Sequence, residues 1–193
     1  MKLFRVIVCS MIGLGVGVWN LVAAGQTAKA GDSCWKWTAA GKHGEDETAS
    51  CTSKDGTEQL EIVFSKHEFS YMVIRVPAPL PIKDPKKGWV RQVGQNKVPL
   101  TIVFGNEPPI SEVWGAAQQS DNPMPLLCPM NLSSKPFSKA LRSNTMTVSY
   151  ADNSGRTVNA TFELSDMKGQ IKEHHEKTGN FGLTDVLKGV ASF

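Results

Sequence analysis

"TMTVSYADNSGRTVNATFEL", Thr145 to Leu164, decides the fold class. "TMTVSY" and "RTVNATFEL" are rich in β-branched and aromatic residues and follow a period of two, the pattern of half-buried strands. Between Tyr150 and Thr157 stands "ADNSGR", a run of turn-formers, so the two flanks read as a β-hairpin. Outward from this hairpin the same signal recurs. "EQLEIVFS", Glu58 to Ser65, alternates and sets Leu60, Ile62 and Phe64 on one face. "FSYMVIRVP", Phe69 to Pro77, is another strand-like run that stops at its proline, and "VPLTIVFG", Val98 to Gly105, is a third. The expectation is a mainly β, antiparallel, sandwich-like single domain with a short helix near the C-terminus.

That helix is predicted in "LSDMKGQIKEHHEKTG", Leu164 to Gly179, with Ser165 as N-cap and Lys177 and Gly179 at its end. Gly169 inside it costs about 1 kcal/mol relative to alanine. "KPFSKALRS", Lys135 to Ser143, has room for two turns. Two proline-bearing segments interrupt the strands. "VPAPLPIKDPKKGW", Val76 to Trp89, is excluded from a central strand because proline removes ladder donors. "NEPPISEVWGAAQQSDNPMPLLCP", Asn106 to Pro129, is expected to be a long irregular connection. The tail, Asn180 to Phe193, either docks through Phe181, Leu183, Val186 and Leu187 or hangs loose.

The first thirty residues have the order of a secretory signal peptide. Lys2 and Arg5 precede the apolar "VIVCSMIGLGVGVW", and "AKA" at Ala28 to Ala30 supplies the small-x-small cleavage pattern. The expected division is residues 1–30 as signal and 31–193 as a secreted domain, with cleavage near Ala30, a periplasmic or secreted location, and no stable membrane span afterwards. The apolar run, broken by Ser10 and Asn20, falls short of the roughly 20 apolar residues of a spanning helix. The whole chain carries 21 Lys+Arg and 18 Asp+Glu, and three of the basic residues lie in the signal. The remainder is formally neutral, which argues against nucleic acid as a partner. Local clusters survive: "GEDE" is acidic, and "IKDPKKGWVRQVGQNK", Ile82 to Lys97, holds five basic residues and one acid. The basic one is either solvated surface or a contact patch.

Three cysteines remain after export: Cys34, Cys51 and Cys128. An oxidising compartment makes a disulfide the default. The order of preference is Cys34–Cys51, then Cys51–Cys128, then Cys34–Cys128. A Cys34–Cys51 bridge would contribute roughly 3 kcal/mol by restricting the unfolded chain. Cys128, with Pro129 behind it and apolar flanks, reads as buried or paired rather than as a nucleophile.

Other chemistry finds little support. His43, Glu45, Asp46 and Glu47 lie together and His174 adjoins His175, but neither a CxxC nor an HxxxH spacing is present. The histidines are expected to be solvated, and no metal or cofactor is expected. There is no GxSxG elbow and no glycine-rich phosphate loop. Trp35, Trp37, Trp89 and Trp114 fall in or beside expected loops, where tryptophan serves either as a lid over a core edge or as the anchor of a contact surface.

"IRVPAPLPIKDP", "VPLTIVFGNEP", "LLCPMN" and "FSKALRSNTMTVSYADNSGRTVNATFELSDMKGQI" follow one another in an order that resembles the invasion-associated locus B family of secreted alphaproteobacterial proteins. Phe137 to Leu141 match that family's short helical stretch. Thr147 to Tyr150, Gly155 and Val158 match its final hairpin, and Leu164, Ser165 and Gly169 resemble its closing segment. Where the family has two cysteines about five residues apart near its middle, Cys128 stands alone here. The resemblance implies an envelope β-sandwich-like domain linked to host-cell invasion, and it brings no catalytic residues. The function expected is therefore non-enzymatic and exercised through contacts with an envelope or host protein. The alternative is an accessory or chaperone-like subunit of an envelope enzyme or secretion system. A hydrolase with scattered carboxylates is the third class.

Overall fold

A computed structural model describes residues 34–40, 46–65, 68–119, 122–130 and 133–178. The expected signal segment and the C-terminal tail lie outside the described residues. Among the described residues nine strands form one antiparallel sheet: β1 (Lys36–Ala40), β2 (Asp46–Thr52), β3 (Gln59–Ser65), β4 (Glu68–Arg75), β5 (Lys97–Phe104), β6 (Ile110–Ala117), β7 (Leu126–Pro129), β8 (Thr145–Ala151) and β9 (Thr157–Glu163). Their order across the sheet is β1-β2-β3-β4-β7-β6-β5-β8-β9. The described residues also form three helices: α1 (Trp89–Gln95), α2 (Lys135–Ala140) and α3 (Met167–Thr178).

The β8–β9 hairpin forms where the turn-formers place it, with Tyr150 opposite Val158 and Ala151 opposite Thr157. Asp152 organises the turn. Its Oδ1 accepts from the Ser154 and Arg156 backbone N–H groups at 2.9 and 3.0 Å and from the Ser154 hydroxyl at 2.6 Å. The Ser154 hydroxyl above all holds the Asp152 carboxyl below its ordinary pKa. Gly155 closes the turn at φ 81°, a left-handed backbone that side chains with a Cβ resist.

Alternation sorts the strands into two faces. Leu60, Ile62 and Phe64, Met72 and Ile74, Leu100 and Ile102, Met146 and Val148, and Ala160 and Phe162 all turn into one core. The sheet curls so that its ends meet. The Lys54 N–H, in the β2–β3 turn, donates to the Thr161 carbonyl on β9 at 2.8 Å. A single concave face thus wraps the core, to which each fully buried Leu, Ile or Phe contributes about 1.5–3 kcal/mol. Phe137 of α2 and Met167 and Ile171 of α3 complete it.

The proline-rich stretch after β5 is more regular than expected. Residues 106–129 contain β6 and β7, which occupy the middle of the sheet. Strand β7 and the second half of β6, Trp114 to Ala117, are buried on both faces: Trp114, Ala116 and Leu127 face the concave core, while Ala117, Leu126 and Cys128 face outward under α1. A strand covered on both sides has no need of alternation, so its period-two signature is lost. Helix α1 lies against β6 at Gly115, where a Cβ would overlap the Val93 carbonyl oxygen and side chain.

Candidate functional site

The cysteine clip sits where the sheet closes on itself. The β1–β2 register, Lys36 opposite Ser50, brings Cys34 beside Cys51. The two form the disulfide across a sequence separation of 17. Their sulfurs lie 3.4 and 3.7 Å from the Glu163 carbonyl oxygen of β9. The clip therefore fastens the first strand pair where the last strand arrives. Cys128 stays free and fully buried. Burial pushes its thiol up to about 12, so it is neither a ready nucleophile nor a ready metal ligand.

The adjacent histidines are not solvated surface: His175 is buried and His174 half-buried. Helix α3 inserts Met167, Ile171 and His175 into the core at spacings of four residues, with His174 alongside. His174 stacks on Trp37 with ring centroids 3.7 Å apart and planes 3° from parallel. Its Nε2 lies 3.3 Å from Glu47 Oε1. His175 meets Phe64 edge-on at 5.3 Å. An imidazole is flat and partly apolar, so it can complete an aromatic wall as readily as face water. His43 and Glu45 lie outside the described residues. Among the described residues no three of His, Cys, Asp and Glu converge as metal ligands would.

The four tryptophans take different places. Trp114 is fully buried, and its indole N–H donates to Glu112 Oε2 at 2.7 Å. Trp35 is buried against the same core. Burial removes both from any contact surface and makes them core fillers. Trp37 is half-buried under His174, and Trp89 is half-buried against Tyr71, with ring centroids 5.1 Å apart.

Two surfaces stand out. The first is the convex face of β6, β5, β8 and β9. Its rows follow the strand register: Ser111, Thr101, Ser149 and Asn159 form one, and Val103, Thr147 and Thr161 the next. Val113, Pro99, Ala151 and Thr157 form a third, and with Thr101, Ser111 and Ser149 they line a shallow groove of about 440 Å³. The Ser149 hydroxyl donates to Asn159 Oδ1 at 2.6 Å, and the Thr147 and Thr161 hydroxyls lie 3.0 Å apart. None of the side chains in the three rows carries a charge; Glu112, which also lines the groove, accepts the Trp114 indole N–H. Lys97 flanks the face at one end and the Lys54–Glu163 ion pair, at 3.4 Å, at the other. The signal for this face was present in the sequence: the outward positions of the alternating strands are Ser, Thr and Asn where Lys and Glu are usual.

The second surface is the basic loop leading into α1. Gln92 and Asn96, buried at the foot of the helix, tie the loop down. Gln92 Nε2 donates to the Pro85, Lys87 and Gln118 carbonyls at 3.1, 2.5 and 3.1 Å. Asn96 Oδ1 accepts from the Lys83 N–H at 2.8 Å. Asp84 pairs with Lys87 at 2.5 Å. Lys87 first, then Arg91 and Lys83, hold its carboxyl below the ordinary value, which places all three cations around one acid.

No protein-family model matches the chain, and neither a curated protein nor a solved structure matches it. Among the described residues no helix is long and apolar enough to cross a membrane.

Proposed function

We propose that the chain is a secreted envelope protein of the invasion-associated locus B type that works without catalysis, through contacts with an envelope or host protein. The observation that carries the reading is the uncharged, hydroxyl-rich convex face of β6, β5, β8 and β9. Its side chains are short, so ordering them at an interface costs far less entropy than ordering Lys, Arg or Gln. The Ser149–Asn159 and Thr147–Thr161 contacts already restrict several of them. Backbone-rigid, neutral and slightly grooved, the face favours shape matching over charge steering. The Cys34–Cys51 disulfide supports an oxidising compartment and suits an exported protein.

The test is capture from envelope extract with three baits: the wild type, Thr101→Arg/Ser149→Arg on the face, and Lys172→Gln on α3. A partner held by the first and third and lost by the second is the expected result. A folded arginine bait that retains every partner, or a wild type that captures none, rejects the proposal.

A further inference from the structure

We infer that the loop Lys83–Gly88 and α1 form a docking surface for an anionic lipid bilayer, a partner separate from the protein contacts proposed above. The charge is concentrated here. The whole chain has a formal net charge of +3, yet residues 83–97 alone carry five basic side chains against one acid, leaving the rest of the chain slightly negative. Lys83, Lys86 and Arg91 are exposed, and Lys87 is spent in part on Asp84. The cluster is built rather than incidental: two buried amides, Gln92 and Asn96, hold the loop backbone against the helix, so the cations cannot spread apart to relieve their repulsion.

The chemistry favours a headgroup layer over an acidic polypeptide. Of Lys83, Lys86, Lys87 and Arg91, three are lysines, point charges without the fork that reads a single carboxylate or phosphate in a fixed pose. Such charges respond to a diffuse negative potential, as a bilayer surface supplies. In their midst Val90 is 59% exposed, the most exposed large apolar side chain described. A solvated protein partner rewards neither feature as well as a bilayer does, since a bilayer offers phosphates to the ammonium groups and acyl-chain margin to the valine. Trp89, the first residue of α1, packs its ring at a tilt on Tyr71 and so pins the start of the helix that carries Val90.

The experiment is co-sedimentation of the exported, purified protein with phosphatidylcholine vesicles, with and without phosphatidylglycerol. The readout is the ratio of the two partition coefficients, so any charge-independent binding by other segments cancels. The wild type is expected to prefer the anionic vesicles, and the preference to fall as salt is raised. Lys83→Gln/Lys86→Gln/Arg91→Gln is expected to lower the ratio about a hundredfold, from roughly fivefold per cation. A charge-matched control, Lys168→Gln/Lys172→Gln/Lys177→Gln on α3, is expected to retain most of it. Val90→Ser is expected to weaken binding to both vesicle types and leave the salt response unchanged. All replaced side chains are exposed, and an unchanged melting temperature verifies the fold. No anionic preference, equal losses in the two triple variants, or binding to polyglutamate without binding to vesicles overturns the inference.

Discussion

Gly115→Ala tests how the outer layer is held together. Helix α1 approaches β6 so closely that an alanine methyl at this position would overlap the Val93 carbonyl oxygen. The obstacle is backbone, so no rotamer change relieves it, and the helix must lift. Overpacking of this kind costs about 1–3 kcal/mol, and partial exposure of Val93 adds a share of the 1.5–3 kcal/mol its burial supplies, for a total of about 2–4 kcal/mol. The lifted helix uncovers Cys128, whose thiol is otherwise buried in the same small cluster. Urea titration measures the loss of stability. Labelling of Cys128 by an aromatic disulfide reagent, resolved by peptide mass, measures the opening. A change of that size raises the labelling rate on the order of 30- to 1000-fold when opening and closing are fast relative to labelling. Gly94→Ala in the same helix is the internal control. No atom lies within 4 Å of its Cβ, so it is expected to be neutral or up to about 1 kcal/mol stabilising. If Gly115→Ala unfolds at the wild-type urea concentration and Cys128 stays protected, the packing argument fails.

Other outcomes follow from the same geometry. Cys34→Ser/Cys51→Ser is expected to lose about 3 kcal/mol in urea unfolding, and reduced wild type to match it. A loss confined to the variant, with reduced wild type unaffected, contradicts the closing role of the clip. Arg75 Nε lies 2.6 Å from Glu61 Oε1 with both side chains nearly buried, so Arg75→Leu alone is expected to cost about 3–5 kcal/mol and Arg75→Leu/Glu61→Leu to recover most of it. Equal losses in the single and double variants speak against a stranded charge as the cause. Burial raises the Cys128 thiol from 9.0 to about 12, so the folded state keeps a proton the unfolded state releases. Its contribution to stability is intact below pH 9 and lost on rising toward pH 12, with a slope near 1.4 kcal/mol per pH unit between them. Alkaline unfolding curves of wild type and Cys128→Ala should diverge by that slope, and parallel curves refute it.

What could be read in advance depended on how many faces of an element are covered. Strands β3, β5, β8 and β9 have one wet face, so their alternation survives in the residues. Helix α3 could be recognised by its length and terminal residues, although Ser165 turns its hydroxyl to Glu163 Oε1 at 3.0 Å instead of capping it. Strand β7 and the second half of β6 escape the pattern because both their faces are dry, and nearby prolines and a glycine give a loop-like appearance. Helix α1 was hidden because seven residues with two valines and a glycine have little intrinsic helicity, so packing on β6 maintains it. The histidine pair was misread for the same reason: pattern alone does not say that Trp37 and Phe64 await them on the facing strands.

The sequence by itself determined the strands with one solvated face, the terminal helix and the hairpin turn at Asp152 to Arg156, because each depends on neighbours within a few residues. It left three disulfide pairings open and scattered the Ser and Thr residues across separate strands. Tertiary structure chose Cys34–Cys51, through the β1–β2 register and the arrival of β9. It also gathered Thr101, Ser111, Ser149 and Asn159 into one row across four strands, and folded the basic loop back onto its own helix. These surfaces come from sheet order and curl, which are set by contacts between residues far apart in the chain; the local pattern shows which side chains turn outward, and only the contacts decide which strands lie side by side.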